Sequence, residues 1–230
     1  MPNAALQDRL EAVRARIDAH QRRGGWHHPV RLIAVTKTHG PEVVRAALAA
    51  GLSEVGENRV QEALEKQDAL PGLELSWHLI GTLQRRKVRQ IVGRFALVHA
   101  LDRLELAEEW QRRLDPGSVQ PVLVQVNCSA EPQKGGVDPD ELLAFLDRLR
   151  SLDRLAVQGL MTMAAFDADA ATQHRTFGQL RALRDRAEAE GHRLPELSMG
   201  MSGDYPIAVE EGATMVRLGT VLFGDRPTPP

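Results

Sequence analysis

Hydrophobic positions along the chain follow two spacings that alternate from about residue 30 onward. Short apolar or β-branched runs are each followed by a stretch with helical spacing, which is typical of strand–helix repeats. The runs predicted as strands are Arg31–Thr36, Glu54–Gly56, Trp77–Gly81, Ala96–Ala100, Pro121–Asn127, Leu155–Met161, Glu196–Gly200 and Thr214–Gly219. Continuous apolarity within several of these runs favours parallel strands that are covered on both sides.

The segment before the first strand predicts an amphipathic helix within residues 1–25. Leu6, Leu10, Val13 and Ile17 share one face at helical spacing, and a Gly-Gly pair follows. Eight strands alternating with helices predict a single-domain (β/α)₈ TIM-type barrel over residues 1–230, with this extra N-terminal helix and a flexible tail over 225–230. An open doubly wound sheet is the alternative, but no Gly-x-Gly-x-x-Gly follows the first strand.

Helix starts can also be predicted from the sequence. Asp102 with Glu105, and Asp138 with Glu141, have the spacing of capping boxes. Asp204 is expected to cap the helix that follows the seventh strand.

Composition narrows the classes of function. A formal net charge of −2 predicts no general attraction to nucleic acid or to acidic membranes. The single cysteine, Cys128, excludes an internal disulfide, and no His or Cys pair has metal-binding spacing. The start of the sequence has no apolar signal-peptide core and no run reaches spanning length, so we expect a cytoplasmic protein. We expect a monomer, with a weak dimer as the alternative.

Lys37 directly follows the first predicted strand. The chain has only four lysines against 25 arginines, so an amine at this position is unusual. Burial of an ammonium lowers its pKa, and the free amine is a nucleophile that forms Schiff bases with aldehydes. The alternative is a lysine whose charged end reaches water.

Two glycine–hydroxyl segments follow the last two predicted strands. Gly200 with Ser202 and Gly219 with Thr220 occupy the positions where barrels often bind phosphate. The alternative is ordinary turn chemistry.

Arg217 lies within an otherwise apolar strand and therefore needs a partner. A carboxylate such as Glu57 and a heteroaromatic ring nitrogen are equally good candidates. A Schiff-base lysine, a phosphate site and a strand arginine together describe a site for pyridoxal 5′-phosphate, which carries an aldehyde, a phosphate and a pyridine nitrogen.

Seven motifs occur in order between Leu32 and Gly224. They are Ala34–Thr38, Gly56–Glu62, Trp77–Gln84, Lys134–Val137, Gly159–Met161, Ser198–Asp204 and Val216–Gly224. With these motifs the chain resembles the YggS-like pyridoxal phosphate homeostasis proteins, a family related to the barrel domain of alanine racemase. It departs from the family pattern at Arg59, where an aromatic residue is frequent, and at Arg86, where Asn is common.

The resemblance implies a set of cofactor-binding residues. Lys37 would hold the cofactor as an internal aldimine, and Arg217 would face the pyridine nitrogen. Ser202, Gly219 and Thr220 would hold the phosphate, while Asn58, His78 and Met201 would line the pocket. The resemblance also implies a role in intracellular pyridoxal phosphate and vitamin B6 homeostasis without clear catalytic turnover, with apo-enzymes that use the cofactor as possible recipients. A satisfied core histidine is the alternative for His78.

Two enzymatic alternatives stay open. An amino-acid racemase needs two bases, and the only tyrosine, Tyr205, would have to be the second, because we expect no further β-rich domain in this chain. A class I aldolase would use Lys37 on a sugar-phosphate carbonyl. Lys134 and Lys87 are candidates for a second docking point, whereas the basic run Arg85–Arg89 is interpreted as a solvated helix face.

Overall fold

Eight parallel strands close into a barrel in the computed structural model, which describes residues 4–129, 131 and 135–224. Neighbours pair in sequence order, and β1 pairs with β8 to complete the ring. The strands are β1 (Arg31–Val35), β2 (Glu54–Glu57), β3 (Ser76–Leu79), β4 (Leu97–Leu101), β5 (Gln120–Gln125), β6 (Leu155–Met161), β7 (Glu196–Ser198) and β8 (Met215–Leu218). The predicted (β/α)₈ TIM-type barrel is therefore confirmed.

Helices between the strands form the outer layer of the fold. They are α1 (Ala4–Gly24), α2 (Pro41–Ala49), α3 (Val60–Asp68), α4 (Val88–Ile91), α5 (Leu104–Arg113), α6 (Leu142–Leu149), α7 (Ala170–Ala189), α8 (Tyr205–Glu210) and α9 (Thr220–Phe223). Turns of 3₁₀ helix over Arg85–Lys87 and Pro139–Glu141 precede α4 and α6. Among the described residues, no helix combines the length and the apolar character that crossing a membrane requires.

The extra helix, α1, lies against α8 and α9. It buries the face that its periodicity predicted, which consists of Leu6, Leu10, Val13 and Ile17. The predicted flexible tail over 225–230 lies outside the described residues.

Two groups of apolar side chains form the core. The larger group lies between the strands and the helices and includes Trp110 and Phe177, which are fully buried. The smaller group consists of Ile33, Leu97, Ala100, Leu123, Met161 and Met215, all of them strand residues. It shares the barrel interior with polar residues, because the side chain of His99 on β4 bonds that of Ser198 on β7, and these strands are not neighbours.

Some strands end earlier than predicted. The third ends at Leu79 rather than Gly81, and the seventh ends at Ser198 rather than Gly200. Gly200 has a φ of +93°, which a β-ladder does not accommodate, so the chain leaves the sheet there. These early ends leave more backbone for the turns at the barrel mouth.

Two of the three predicted helix caps are wrong, at Asp102 and at Asp204. Arg103 occupies the N-cap position of α5, and the Asp102 carboxylate is paired with the Arg103 guanidinium instead of a backbone N–H. The ion pair with its neighbour replaces the capping bond. Asp138 does act as a cap, because its carboxylate accepts a hydrogen bond from the Asp140 N–H at 2.8 Å, over the 3₁₀ turn that precedes α6.

Candidate functional site

A cavity of about 650 Å³ opens at the mouth of the barrel, where the strands end. Its lining residues are Val35, Lys37, His39, Asn58, Ile80, Gly81, Thr82, Gln125, Met163, Ala165, Phe166, Gln173, Met201, Ser202, Gly203, Asp204, Arg217, Gly219, Thr220 and Gly224. Barrels of this fold carry their chemistry at this end. A smaller cavity of about 330 Å³, under α1, is lined by residues at the start of β1 and β2.

Lys37 lies in the turn directly after β1 and forms part of the cavity wall, where it is half-buried. The next residue, Thr38, has a φ of +67°, a conformation that is costly for a β-branched residue. Its N–H donates to the Glu62 carboxylate at 2.5 Å, which holds the strained turn in place. Glu62 on α3 therefore fixes the backbone next to Lys37.

Beneath this turn lies a buried ion cluster, here called the lysine clamp, formed by Lys66, Glu57 and Glu62. The Lys66 Nζ donates to Glu57 at 2.7 Å and to Glu62 at 2.8 Å. It also donates to the Thr36 carbonyl at 2.7 Å. Glu57 is 0% exposed and accepts from the Thr36 hydroxyl at 2.5 Å. Burial raises the pKa of the Glu57 carboxyl, and its bonds to Lys66 and Thr36 act in the opposite direction. The clamp thus holds residues on both sides of Lys37.

The part of the mouth on the other side of the Lys37 turn from β2 is built from the turns after β7 and β8, since β8 pairs with β1. The Ser202 hydroxyl oxygen accepts hydrogen bonds from the backbone N–H groups of Gly219 at 3.2 Å and Val221 at 3.3 Å. Two N–H groups therefore converge on one oxygen, and the serine proton is left to donate elsewhere. Exposed Thr220 lies between those two donors. Converging N–H and O–H groups suit an anion.

Gly200 and Asp204 shape the turn that carries Ser202. At Gly200 a Cβ would lie 2.7 Å from the Ala208 Cβ, so the close approach of α8 requires glycine as much as the positive φ does. Asp204 stands at the N-cap position of α8, but its carboxylate makes no capping bond and accepts from the Met201 N–H at 2.5 Å. The predicted cap is therefore wrong, and the carboxylate closes the turn instead.

Arg217 lines the cavity from inside β8 and is 4% exposed. One guanidinium nitrogen donates to the Ser198 Oγ at 2.7 Å and another donates to the Thr162 carbonyl at 3.0 Å. Burial lowers the pKa of Arg217 to about 10, so the group keeps its charge at neutral pH. The predicted partner Glu57 is wrong, because that carboxylate is bonded to Lys66 and Thr36.

Seven of the eight predicted binding residues line this one cavity. They are Lys37, Asn58, Met201, Ser202, Arg217, Gly219 and Thr220. The exception is His78, which lies deeper in the barrel, 2% exposed, with its Nδ1 bonded to the His99 Nε2 at 2.9 Å. The expectation that His78 lines the pocket therefore differs from the structure, which agrees with the core-histidine alternative in position, although the His78 Nε2 has no hydrogen-bond partner among the described residues.

Several lining residues were not predicted. Gln125 is a polar residue at the end of β5, which ends two residues before the predicted strand does, and the family resemblance did not point to it. His39 follows the Lys37 turn and contacts the ring of Phe223, with ring centroids 6.0 Å apart. Phe166 and Gln173 come from the segment after β6, where strand-end reasoning assigns no position.

Other candidates fall outside the cavity wall. Tyr205 is 3% exposed in the outer core, and the Arg16 guanidinium lies 6.0 Å from its ring centroid.

Burial raises the pKa of the Cys128 thiol to about 11, so little of it is in the reactive thiolate form at neutral pH. Lys87 lies in the 3₁₀ turn before α4, and Lys134 lies outside the described residues. No group of three or more His, Cys, Asp or Glu within the described ranges could hold a metal ion.

Comparison with known proteins finds a matching family and close relatives. The profile of the family "Alanine racemase, N-terminal domain" matches residues 9–227. A relative in Aquifex aeolicus, named pyridoxal phosphate homeostasis protein, is 44% identical, over 95% of this chain and 97% of that protein. A relative of the same name in Pseudomonas aeruginosa is 42% identical, over 97% of this chain and 96% of that protein.

Solved structures agree with these relatives. PipY of Synechococcus elongatus with bound PLP has a TM-score of 0.84 at 39% identity, covering 95% of this chain and 100% of that one. An alanine racemase of Clostridium difficile has a TM-score of 0.75 at 16% identity, covering 96% of this chain and 58% of that one. The second similarity concerns the fold alone.

Proposed function

From the premise that this chain belongs to the family of pyridoxal phosphate homeostasis proteins, we propose that it binds pyridoxal 5′-phosphate covalently at Lys37 and serves the supply of this cofactor without catalytic turnover. The single observation that carries the proposal is the shared cavity: Lys37 and the Ser202–Gly219 pair both line it, on the turns that follow β1, β7 and β8, which are consecutive strands of the barrel. The cofactor supplies an aldehyde that reacts with amines and a phosphate.

The residues of the cavity fit each end of that ligand. The half-buried amine of Lys37 meets the aldehyde, and the strained turn behind it limits where the amine can reach. Beside this turn, the N–H groups of Gly219 and Val221 converge on the Ser202 oxygen, so an anion oxygen in the place of that hydroxyl would meet two donors. The cavity volume of about 650 Å³ lies within the range that small-molecule sites occupy.

Arg217 favours a carrier over most amino-acid enzymes of this cofactor, but not over a racemase, which also uses an arginine at the ring nitrogen. A guanidinium that stays charged beside a ring nitrogen disfavours protonation of that nitrogen, so the ring withdraws electrons weakly. Most amino-acid chemistry of this cofactor depends on strong electron withdrawal. The arginine therefore favours storage of the reactive aldehyde.

The racemase alternative is less well supported because of the position of Tyr205. A racemase needs two bases on opposite faces of one carbon. The only tyrosine of the sequence is 3% exposed in the outer core, under α1, and does not line the described cavity. Transfer of solvent deuterium to the α-carbon of an amino acid, lost in Lys37→Ala, would support the racemase over the carrier.

Borohydride trapping tests the covalent attachment and its chemistry. Protein incubated with pyridoxal phosphate is reduced, digested and mapped by mass spectrometry, beside Lys37→Ala and the control Lys87→Ala. We expect a pyridoxyl adduct on Lys37 in the wild type and in Lys87→Ala. An adduct on another lysine, or none, would contradict the proposal. Trapping of a sugar phosphate on Lys37 instead would favour the aldolase alternative.

We also propose that the recipients are apo-enzymes that require this cofactor. Loaded protein and free pyridoxal phosphate, at equal total concentration, are compared for the rate at which an apo-transaminase regains activity. We expect the loaded protein to reactivate the enzyme in the presence of an excess of a competing free amine, which captures the free aldehyde. If the amine blocks reactivation equally in both cases, the transfer proposal fails while cofactor binding stands.

A further inference from the structure

A line of polar side chains in contact crosses the barrel interior from Arg217 to the far end. The Arg217 guanidinium donates to the Ser198 Oγ at 2.7 Å, and that oxygen lies 2.9 Å from the His99 Nδ1. The His99 Nε2 lies 2.9 Å from the His78 Nδ1. The His78 Nε2 lies 3.3 Å from a Glu54 carboxylate oxygen. These five residues, here called the polar column, come from β8, β7, β4, β3 and β2.

The polar column is nearly dry. Ser198 and His99 are 0% exposed, whereas the Glu54 side chain is 24% exposed and lines the smaller cavity under α1. Buried polar groups cost free energy unless they are fully paired, and well-packed apolar side chains would fill the same volume without that cost. Packing alone therefore gives no reason for two imidazoles at this depth.

One arrangement of protons gives the Ser198 hydroxyl both an incoming and an outgoing bond. Arginine only donates, so the Ser198 oxygen accepts from Arg217, and its own proton would go to the His99 Nδ1. His99 would then carry its proton on Nε2 and donate to the His78 Nδ1. The His78 Nε2 lies 3.3 Å from Glu54 without the geometry of a hydrogen bond, so the last contact is electrostatic. In this arrangement the donors point from the serine toward His78.

The charges agree with this arrangement. Burial, with His78, Arg217 and Arg31 nearby, holds the pKa of His99 well below its ordinary value, so that ring is neutral. Burial acts against ionisation of Glu54, but the contact with His78 and the charge of Arg31 together keep its pKa below the ordinary value. Arg31 also contacts Glu196 at 2.9 Å, so the far end holds one cation between two carboxylates.

We propose that Ser198, His99 and His78 are positioning residues for Arg217: the column fixes the orientation of the guanidinium at the cavity and connects its charge to Glu54. This inference rests on the proposed function, because it concerns the arginine that would face the ring nitrogen of pyridoxal phosphate. The Thr162 carbonyl holds one nitrogen of the guanidinium, and Ser198 holds a second. Without Ser198 the group could pivot about the remaining bond.

Ring-nitrogen ¹⁵N spectroscopy of the ligand-free protein tests the column directly. We expect His99 to be neutral at pH 7, with a protonated Nε2 and a bare Nδ1. In Ser198→Ala we expect the His99 Nδ1 resonance to shift, because it loses its donor. Protonation of both nitrogens of His99, or a proton on its Nδ1, would overturn the column.

Cofactor binding tests the positioning role. In Ser198→Ala we expect a shifted absorption maximum of bound pyridoxal phosphate and affinity weaker by about tenfold, because one bond to a charged donor is lost. Ser198→Thr, which keeps the hydroxyl, should restore both. The matched control is Thr176→Val, which removes another buried hydroxyl, bonded to the Thr172 carbonyl at 2.9 Å on α7, and should leave the spectrum unchanged.

Two further outcomes separate this inference from the proposed function. If the wild type takes up no pyridoxal phosphate, the proposed function fails, while the ring-nitrogen spectra still decide the column. If the wild type binds but Ser198→Ala has an unchanged spectrum and affinity, only the positioning role fails. Should Ser198→Ala not fold, Glu54→Gln provides the second variant: we expect a smaller spectral shift in the same direction, and no shift would overturn the inference.

Discussion

The two sides of the cavity mouth are built in different ways. On the β1–β2 side, the lysine clamp places three charged side chains under the turn that carries Lys37. On the β7–β8 side, Ser202 and two backbone N–H groups form the wall, and the nearby Asp204 carboxylate accepts from the Met201 N–H. One side is thus held by buried ions, and the other mainly by glycine and a hydroxyl.

The difference follows from what each side must do. A reactive amine needs a rigid backbone, and buried charges give rigidity at a high cost if one partner is lost. A phosphate needs donors close to the backbone, which small residues allow. Substitutions on the β1–β2 side should therefore affect stability first, and substitutions on the β7–β8 side should affect affinity for the phosphate.

Loss of Lys66 is expected to have the largest effect. Lys66→Met leaves the buried Glu57 without its cation, and we expect the free energy of unfolding to fall by about 3–5 kcal/mol. Urea unfolding measures the loss, and Lys87→Met is the control. Adding Glu57→Gln should recover part of the stability. A loss below that of an ordinary surface ion pair would show that the clamp does not hold the Lys37 turn.

Gly200→Ala should have the next largest effect. The alanine would take a positive φ and would collide with Ala208, for a combined cost of about 2–3 kcal/mol. Gly51→Ala is a matched control, because Gly51 has a φ of +82° but nothing within 4 Å of an added Cβ. Equal stability losses in the two variants, measured by urea unfolding, would mean that the close approach of α8 is unimportant.

Ser202→Ala tests whether the β7–β8 side of the mouth binds the phosphate of the ligand. We expect affinity for pyridoxal phosphate to fall about tenfold, because a hydrogen bond to a charged group is lost. Affinity for pyridoxal, which lacks the phosphate, should not change. Equilibrium titration with both ligands measures this, and a parallel loss for both would place Ser202 away from the phosphate.

The ion cluster of Glu109 with three exposed arginines gives the smallest expected effect and is a reference for the lysine clamp, whose cation is buried. Arg113, Arg112 and Arg85 hold the pKa of Glu109 at about 2, below its ordinary value. The pairs therefore stabilise the fold fully above about pH 4.3, the value expected when unfolded, and the contribution disappears as pH falls toward 2. The three arginines are more than half exposed, so salt screens the pairs.

The measurement for that cluster is the melting temperature of Glu109→Gln relative to the wild type. We expect a small deficit at pH 7 that shrinks at pH 3 and in high salt. A deficit as large as that of Lys66→Met would contradict the distinction between buried and exposed ion pairs.

The barrel and most of the cavity wall could be predicted from the sequence. Apolar periodicity determines the strands, and a closed parallel barrel brings all carboxyl ends to one face, so residues such as Asn58 and Gly219 meet there. Depth within the barrel was not predictable for His78. His78 pairs with Gly56 and Leu97 in the sheet. It stands two positions before Ile80 on the chain, and Ile80 lines the cavity. Only the register between the strands sets how deep His78 lies in the barrel.

The lysine clamp could not be predicted for a different reason. Glu62 and Lys66 stand four residues apart on α3, a spacing that is common on exposed helix faces. Only the packing of α3 against the turn after β1 buries Lys66 and brings it to the Thr36 carbonyl. The polar column was equally hidden, since each of its members lies on a different strand.

An absorption titration with pyridoxal phosphate tests the central claim most directly. Wild-type protein, Lys37→Ala and Lys87→Ala are titrated at neutral pH and followed in the near-visible range. We expect a saturable band of lysine-bound cofactor in the wild type and in Lys87→Ala, and none in Lys37→Ala. A colourless wild type at saturating ligand, or an undiminished band in Lys37→Ala, would contradict the account.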